Sequence, residues 1–210
     1  MLPGPPKGTH RQIFSSVQSS DVLSYLHKLR LIRQDLGIPA ESNLGCKGPI
    51  FLENPDIVQA GTDYYGRDLH IAVGALESWR ALQSAAKMDG ISLIAVSGFR
   101  SVRRQQEIIL RKLGLGQPLR EILKVNAMPG YSQHHTGFAF DLTEQSDCEP
   151  LTEAFEGQDA FAWLSQHGAQ HGFRLQYPRD NAEGFIYEPW HWALEAVHRF
   201  AITDRPYVKP

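Results

Sequence analysis

The chain has 210 residues, enough for one domain with a substantial core, or for one domain and an extension. Its 21 lysines and arginines against 23 acids leave a net charge of −2, and no basic run is long, which excludes the usual electrostatic surface for nucleic acid. No apolar stretch approaches the length of a membrane-spanning helix, so no membrane partner is expected.

Residues 1–18, rich in Pro and Gly and then polar, predict an irregular N-terminal arm, and residues 19–210 a single domain. The opening Met-Leu-Pro-Gly-Pro-Pro-Lys-Gly lacks the apolar core of a secretory leader. Read as the native start it implies a cytoplasmic protein, and read as a truncation it leaves a periplasmic one. Ser20 is placed to cap a helix carrying Val22, Leu23, Leu26, Leu29 and Leu36, with Gly37 and Pro39 as stop signals. Residues 40–67 read as loops with one or two short strands. Ile71 to Met88 carries Leu76, Trp79, Leu82 and Ala86 on a helical stripe, and Gly90 ends it. Ile91 to Val96 reads as a buried strand that delivers Ser97 to Arg100 at its end.

Two helices are expected over 102–114 and 118–125, split by Gly114-Leu-Gly116-Gln-Pro118. The run from Gly137 to Leu142 reads as a buried strand entered through a glycine. Asp159 is placed to cap a helix that runs to His171, followed by a strand from Phe173 to Tyr177 and a turn over 178–184. The stretch Phe185 to Trp192 is strand-like, a short helix is expected over 193–200, and the Pro-flanked end is expected to be loose. The sum is a mixed α+β domain with helices packed on a small, largely antiparallel sheet. Cys46 and Cys148 are not spaced as a metal pair and read as reduced, partly buried thiols.

Two blocks carry the chemistry. Ser132-Gln-His134-His-Thr-Gly137-Phe-Ala139-Phe-Asp141 places His134 on the loop before the strand and Asp141 near its far end. Glu188-Pro-Trp-His191-Trp supplies a second histidine with a glutamate three residues before it. Taken singly, His134 fits an ordinary polar residue beside a strand, Asp141 a strand-end cap, and Glu188 to His191 a turn. Taken together they are a set for a hydrolytic zinc site, with His134, Asp141 and His191 on the metal, water in the fourth position, and Glu188 as base. One geometric requirement is open. On a regular strand Glu188 and His191 point to opposite faces, so the site needs a local bend, for which Pro189 is the signal. His135 is expected outside the metal's contacts, because adjacent residues on an extended chain diverge. His167 and His171, four apart, read as a solvated helix face, and His198 is not expected to share the metal. His10, His27 and His70 carry no signal.

These blocks resemble the Ser-x-His-x-x-Gly-x-Ala-x-Asp and Glu-x-Trp-His signatures of the VanY-type D-alanyl-D-alanine carboxypeptidases, within the superfamily that includes lysostaphin-type endopeptidases and the hedgehog signalling domain. Ser97-Gly98-Phe99-Arg100-Ser101, with Gln105 after it, is similar to a third family segment, Ser-Gly-Tyr-Arg-Ser-x-x-x-Gln. The resemblance runs from Asp68 to Trp192. It implies one zinc per chain on His134, Asp141 and His191, and Glu188 as the catalytic base. It also implies that Arg100 binds substrate near its reacting end, with Gln105 and Ser132 as further candidates for that pocket. Phe99 departs from the usual tyrosine, and Ala193 stands where many relatives carry arginine.

The activity so implied is removal of the C-terminal D-alanine from peptidoglycan stem peptides or muropeptides. Inside the cytoplasm a D,D-carboxypeptidase would destroy the cell's own wall precursor, so an L,D-carboxypeptidase acting on recycled tetrapeptides is the expected form. Gln105, Ser132 and Tyr187, polar candidates for the pocket lining, lean the same way, towards a diamino acid next to the scissile bond. D,D-carboxypeptidase and D-Ala-D-Ala dipeptidase activities are the alternatives. A zinc-containing wall-binding module without catalysis is the alternative of another class, and Glu188 speaks against it because a structural zinc needs no base. The sequence carries no signal for an oligomeric state.

Overall fold

A computed structural model of the chain describes residues 19–39, 41–146 and 148–202. The expected arm over 1–18 and the Pro-flanked end over 203–210 lie outside these residues. Contacts divide the chain into two units, one reaching Ala40 and one from Glu41 onward. The described part of the first unit is helix α1 (Ser19–Asp35), so Ser20 lies inside the helix rather than capping it. Gly37, at φ 69°, follows its end, where a left-handed residue commonly stops a helix. Among the described residues, no helix is long and apolar enough to cross a membrane.

The second unit is α+β with antiparallel sheets, the expected class. In chain order it holds β1 (Ile50–Phe51), β2 (Ile57–Thr62), β3 (Asp68–Ala72), α2 (Leu76–Met88), β4 (Leu93–Ser97), α3 (Val102–Gly114) and α4 (Leu119–Val125). Then follow β5 (Ala139–Glu144), α5 (Asp159–His167), β6 (Phe173–Leu175), β7 (His191–Leu194) and β8 (Ala201–Ile202). The main sheet runs β4-β5-β7-β6 with every pair antiparallel, and β1-β8 and β2-β3 form two small ladders. The helix expected from Ile71 starts at Leu76 instead. Residues 68–72 are a strand, because Leu69 and Ile71 are buried and alternate with exposed Asp68 and His70, and β2 pairs along them. The strand expected over 185–192 is confined to its end. β7 begins at His191 and runs on through Leu194, and residues 195–200 form a 3-10 turn rather than an α-helix.

Alternation along β5 separates the core from the site. Phe140 stacks on Trp79 of α2 (5.1 Å between centroids) and meets Phe173 edge-on, so α2 covers that face of the sheet with Trp79, Leu82 and Ala86. Asp141, the next residue, points to the opposite face. The register places Ser97 of β4 and His191 of β7 directly opposite Asp141 on either side, which makes a row across three strands on one face. Glu144, at the end of β5, accepts from the Ala160 N–H at the start of α5, a carboxylate satisfying a helix N-terminus.

Gly137 is where the chain turns into β5. Its φ is 70°, and a Cβ there would lie 2.6 Å from the Ala72 nitrogen, which itself donates to the Gly137 carbonyl. Gly137→Ala is therefore expected to lose about 2 kcal/mol or more and to lower the melting temperature by roughly 4–8 °C. Thermal denaturation of the two proteins checks this, and an unchanged melting temperature contradicts it.

Candidate metal centre

His134 sits on a 3-10 turn (Gln133–Thr136) that Gly137 closes in the left-handed conformation. The turn is sewn to the end of β4. The Arg100 N–H donates to the His134 carbonyl at 3.0 Å, and the His134 Nδ1 lies 2.6 Å from the Gly98 carbonyl. That places His134 Nε2 3.2 Å from Asp141 Oδ2, while His191 Nδ1 lies 3.0 Å from Asp141 Oδ1. All three side chains are buried, and one ligand atom from each lies within 4.8 Å of the others.

Protonation decides what this trio can hold. A carbonyl only accepts, so the proton of His134 is on Nδ1, facing Gly98, and Nε2 presents a lone pair. Burial holds the His134 pKa below its ordinary value, so the ring is neutral. His191 is set in the same way by an amide relay. Its Nε2 donates to Gln133 Oε1 at 3.0 Å, Gln133 Nε2 donates to Gln176 Oε1, and Gln176 Nε2 donates to the Arg174 carbonyl. The His191 Nδ1 is left to face Asp141. Burial by itself would raise the Asp141 carboxyl, but the two imidazoles more than reverse this and hold it well below the usual carboxylate range. His134 Nε2 and His191 Nδ1 thus both face one buried carboxylate at hydrogen-bond distance. One ligand atom from each can meet at a single cation, and two imidazoles with one carboxylate are a donor set suited to zinc.

Glu188 reaches the same place through a turn. The His191 N–H donates to the Glu188 carbonyl at 3.0 Å with Pro189 and Trp190 between, and the Glu188 N–H donates to the Tyr177 carbonyl. The turn and the site, weighed as alternatives for this block, coincide. The bend that the sequence required is this turn, with Pro189 at its second position, where proline is favoured. Glu188, Asp141, His134 and His191 line one cavity of about 300 Å³. Burial pushes the Glu188 carboxyl up to about 7, with Asp141 adding to the rise and His191, Arg100 and Lys47 opposing it.

Arg100 also lines the cavity. Its fork donates to Gln105 Oε1 at 3.1 Å and to Ser97 Oγ at 3.0 Å, and it stands 3.5 Å from Asp141 Oδ2. Ser132 lines the cavity, whereas Gln105 is fully buried behind Arg100 with its amide on the Ala127 carbonyl. Tyr187, expected in the lining, instead stacks on Arg179 (4.0 Å) and bonds Glu156, away from the cavity. His135 is outside the trio, as expected. It is fully buried, accepts from the Gly130 N–H at Nε2 and donates from Nδ1 to the Arg100 carbonyl. His167 and His171 lie against the Trp163 ring. Cys46 and Cys148 are both half-buried.

Sequence reasoning missed Gln133, Tyr177 and Lys112. Gln133 fills a variable position between Ser132 and His134, and only the amide relay reveals it. Tyr177 stacks on His191 (4.7 Å, 17°), and burial, then the Glu188 charge, keep its phenol protonated. Nothing near it in sequence signals that contact.

Comparison with known proteins matches residues 68–196 to the VanY family model, described as D-alanyl-D-alanine carboxypeptidase. YodJ of Bacillus subtilis strain 168, a carboxypeptidase by name, is 30% identical over 186 residues, covering 86% of this chain and 66% of YodJ. The chain therefore spans just under two thirds of that relative. The structure of the LdcB LD-carboxypeptidase aligns with a TM-score of 0.61 at 29% identity, over 70% of this chain and 72% of LdcB. A variant of the D,D-pentapeptidase VanY from a VanB-type resistance cassette, in complex with Zn(II), aligns with a TM-score of 0.52 at 25% identity, over 70% of this chain and 90% of that one.

Proposed function

Because the chain belongs to the VanY family of D-alanyl-D-alanine carboxypeptidases, we propose that it is a zinc-dependent carboxypeptidase that removes the C-terminal D-alanine from peptidoglycan stem peptides. The observation that carries this is the buried carboxylate of Asp141 between the ring nitrogens of His134 and His191, with Glu188 in the same cavity. The Zn(II) complex of a VanY neighbour supports the choice of metal. His134, Asp141 and His191 would hold one zinc per chain, and Glu188, Arg100 and Ser132 face the substrate.

When bound, zinc supplies positive charge that acidifies water and polarises a carbonyl. Glu188 takes a proton from the attacking water on a carboxylate oxygen and hands it to the nitrogen of the departing D-alanine. Arg100 presents a planar fork to the substrate carboxylate, and Gln105 and Ser97 hold that fork still. Tyr177 stays protonated and offers a donor at the cavity wall. A cavity of about 300 Å³ encloses the end of a peptide and leaves the rest of a muropeptide outside.

Among D-alanine-releasing activities we favour L,D-carboxypeptidase action on tetrapeptide stems. The likeness to the LdcB LD-carboxypeptidase supports it, as does the cavity wall of Ser132, Gln133 and Asn126, which is polar enough for a diamino-acid side chain. Mass analysis of tetra- and pentapeptide stems after incubation tests it, and faster D-alanine release from the tetrapeptide is the expected result. A pentapeptide rate equal to or above it makes the enzyme a D,D-carboxypeptidase, and muropeptide binding without turnover makes the protein a binding module.

The acid side of the pH profile is a further expectation. The base works ionised, so kcat/KM rises with pH through the Glu188 pKa and is lost below it. Burial, partly offset by the surrounding charges, lifts that carboxyl from 4.5 to about 7, and a metal cation lowers it again. The acid limb is therefore expected between these two values, and a profile flat down to pH 4.5 removes Glu188 from the rate equation.

A further inference from the structure

The cavity has a second cation. Lys112, in the last turn of α3, lines it together with Arg100, which comes from the end of β4. The two differ in how they are held. Arg100 is braced by Gln105, Ser97 and Asp141. Lys112 is half-buried, and among the described residues no carboxylate pairs with it. Burial lowers its pKa, and the charges of Arg111 and Arg100, both of its own sign, lower it further. A lysine near a helix C-terminus complements the helix dipole wherever its side chain points. That preference does not require it to line a cavity beside an arginine. Of the acids that line the cavity, Asp141 belongs to the metal trio and Glu188 is the proposed base.

We propose that Lys112 and Arg100 form one carboxylate-binding end of the cavity, in which the free C-terminal carboxylate of the substrate bridges the two cations. This deepens the carboxypeptidase reading and rests on it only for the identity of the anion. The roles are complementary. Arg100 is an immobilised fork that sets the carboxylate plane, and Lys112 is a point charge on a flexible stem that neutralises it. A bridging anion removes the like-charge repulsion that each cation imposes on the other.

The test uses the zinc-loaded protein and Lys112→Met, Lys112→Arg and, as a control for loss of one charge elsewhere, Lys87→Met on the exposed side of α2. Calorimetry measures binding of N-acetyl-D-alanine and of its amide. Wild type is expected to prefer the acid. Lys112→Met is expected to weaken acid binding about tenfold or more and to leave the amide unchanged, while Lys112→Arg recovers most of the loss. On a D-alanine-terminated tetrapeptide the Lys112→Met KM should rise by a similar factor, with kcat within about threefold. Acid binding in Lys112→Met equal to wild type, or no preference for the acid in wild type, overturns the proposal. If wild type cleaves no stem peptide, the carboxypeptidase reading falls, and the calorimetry still decides whether Lys112 binds a carboxylate.

Discussion

Glu188→Gln is expected to reduce kcat about a hundred- to ten-thousandfold while the protein keeps its fold and its zinc. Glutamine fills the same volume and keeps the backbone groups that make the turn, the Glu188 N–H on the Tyr177 carbonyl and the Glu188 carbonyl under the His191 N–H. It cannot accept a proton. The carboxylate is nearly buried and lies outside the metal trio, so metal affinity does not depend on it. Its raised pKa, near 7, is what a general base at neutral pH requires. Zinc content, circular dichroism and steady-state rates measured together separate loss of the base from loss of the site. His135 would be the next base to suspect from sequence, but both its ring nitrogens are committed to Gly130 and Arg100 in a fully buried position. A Glu188→Gln protein that turns over at near-normal rate would therefore mean that neither Glu188 nor His135 is the base.

Asp141→Asn should abolish stable zinc binding and, with it, activity, a loss of about a thousandfold or more given the several kcal/mol of charge stabilisation a catalytic metal supplies. The change is isosteric, and β5 keeps its ladder to β4 and β7. What changes is the charge between the two imidazoles. A neutral amide leaves a cation with two imidazoles and no carboxylate. Its oxygen meets one of His134 Nε2 (3.2 Å) and His191 Nδ1 (3.0 Å) and its NH2 the other, and the NH2 occupies a nitrogen the metal needs. Metal analysis after desalting, on a protein whose melting curve shows it folded, checks this. Stoichiometric zinc in folded Asp141→Asn would move the metal off this trio.

Much of the site was legible because its chemistry is local in sequence. Histidine, glycine and aspartate at fixed spacing before and within a strand, and glutamate three residues before a second histidine, name the donor types and the base without any fold. The stripe of Trp79, Leu82 and Ala86, the buried run before Ser97 and the helix over 102–114 were legible for the same reason, since each is a periodic pattern within one element. Residues 71 and 72 misled because Ile71 begins an apolar pattern that α2 then continues. A strand three residues short of a helical stripe is separable only once β2 pairs with it. What the tertiary structure alone decided is how distant residues face one another. The β5-β7 register brings Asp141 opposite His191, and a turn at Pro189 carries Glu188 into the cavity. The amide relay through Gln133 and Gln176 holds the His191 ring, Arg100 stands in front of Gln105, and Arg179 draws Tyr187 away. Residue type and spacing determine which chemistry is available. Register, tautomer and side-chain direction follow from hydrogen bonds between segments far apart in the chain, and those exist only after it folds.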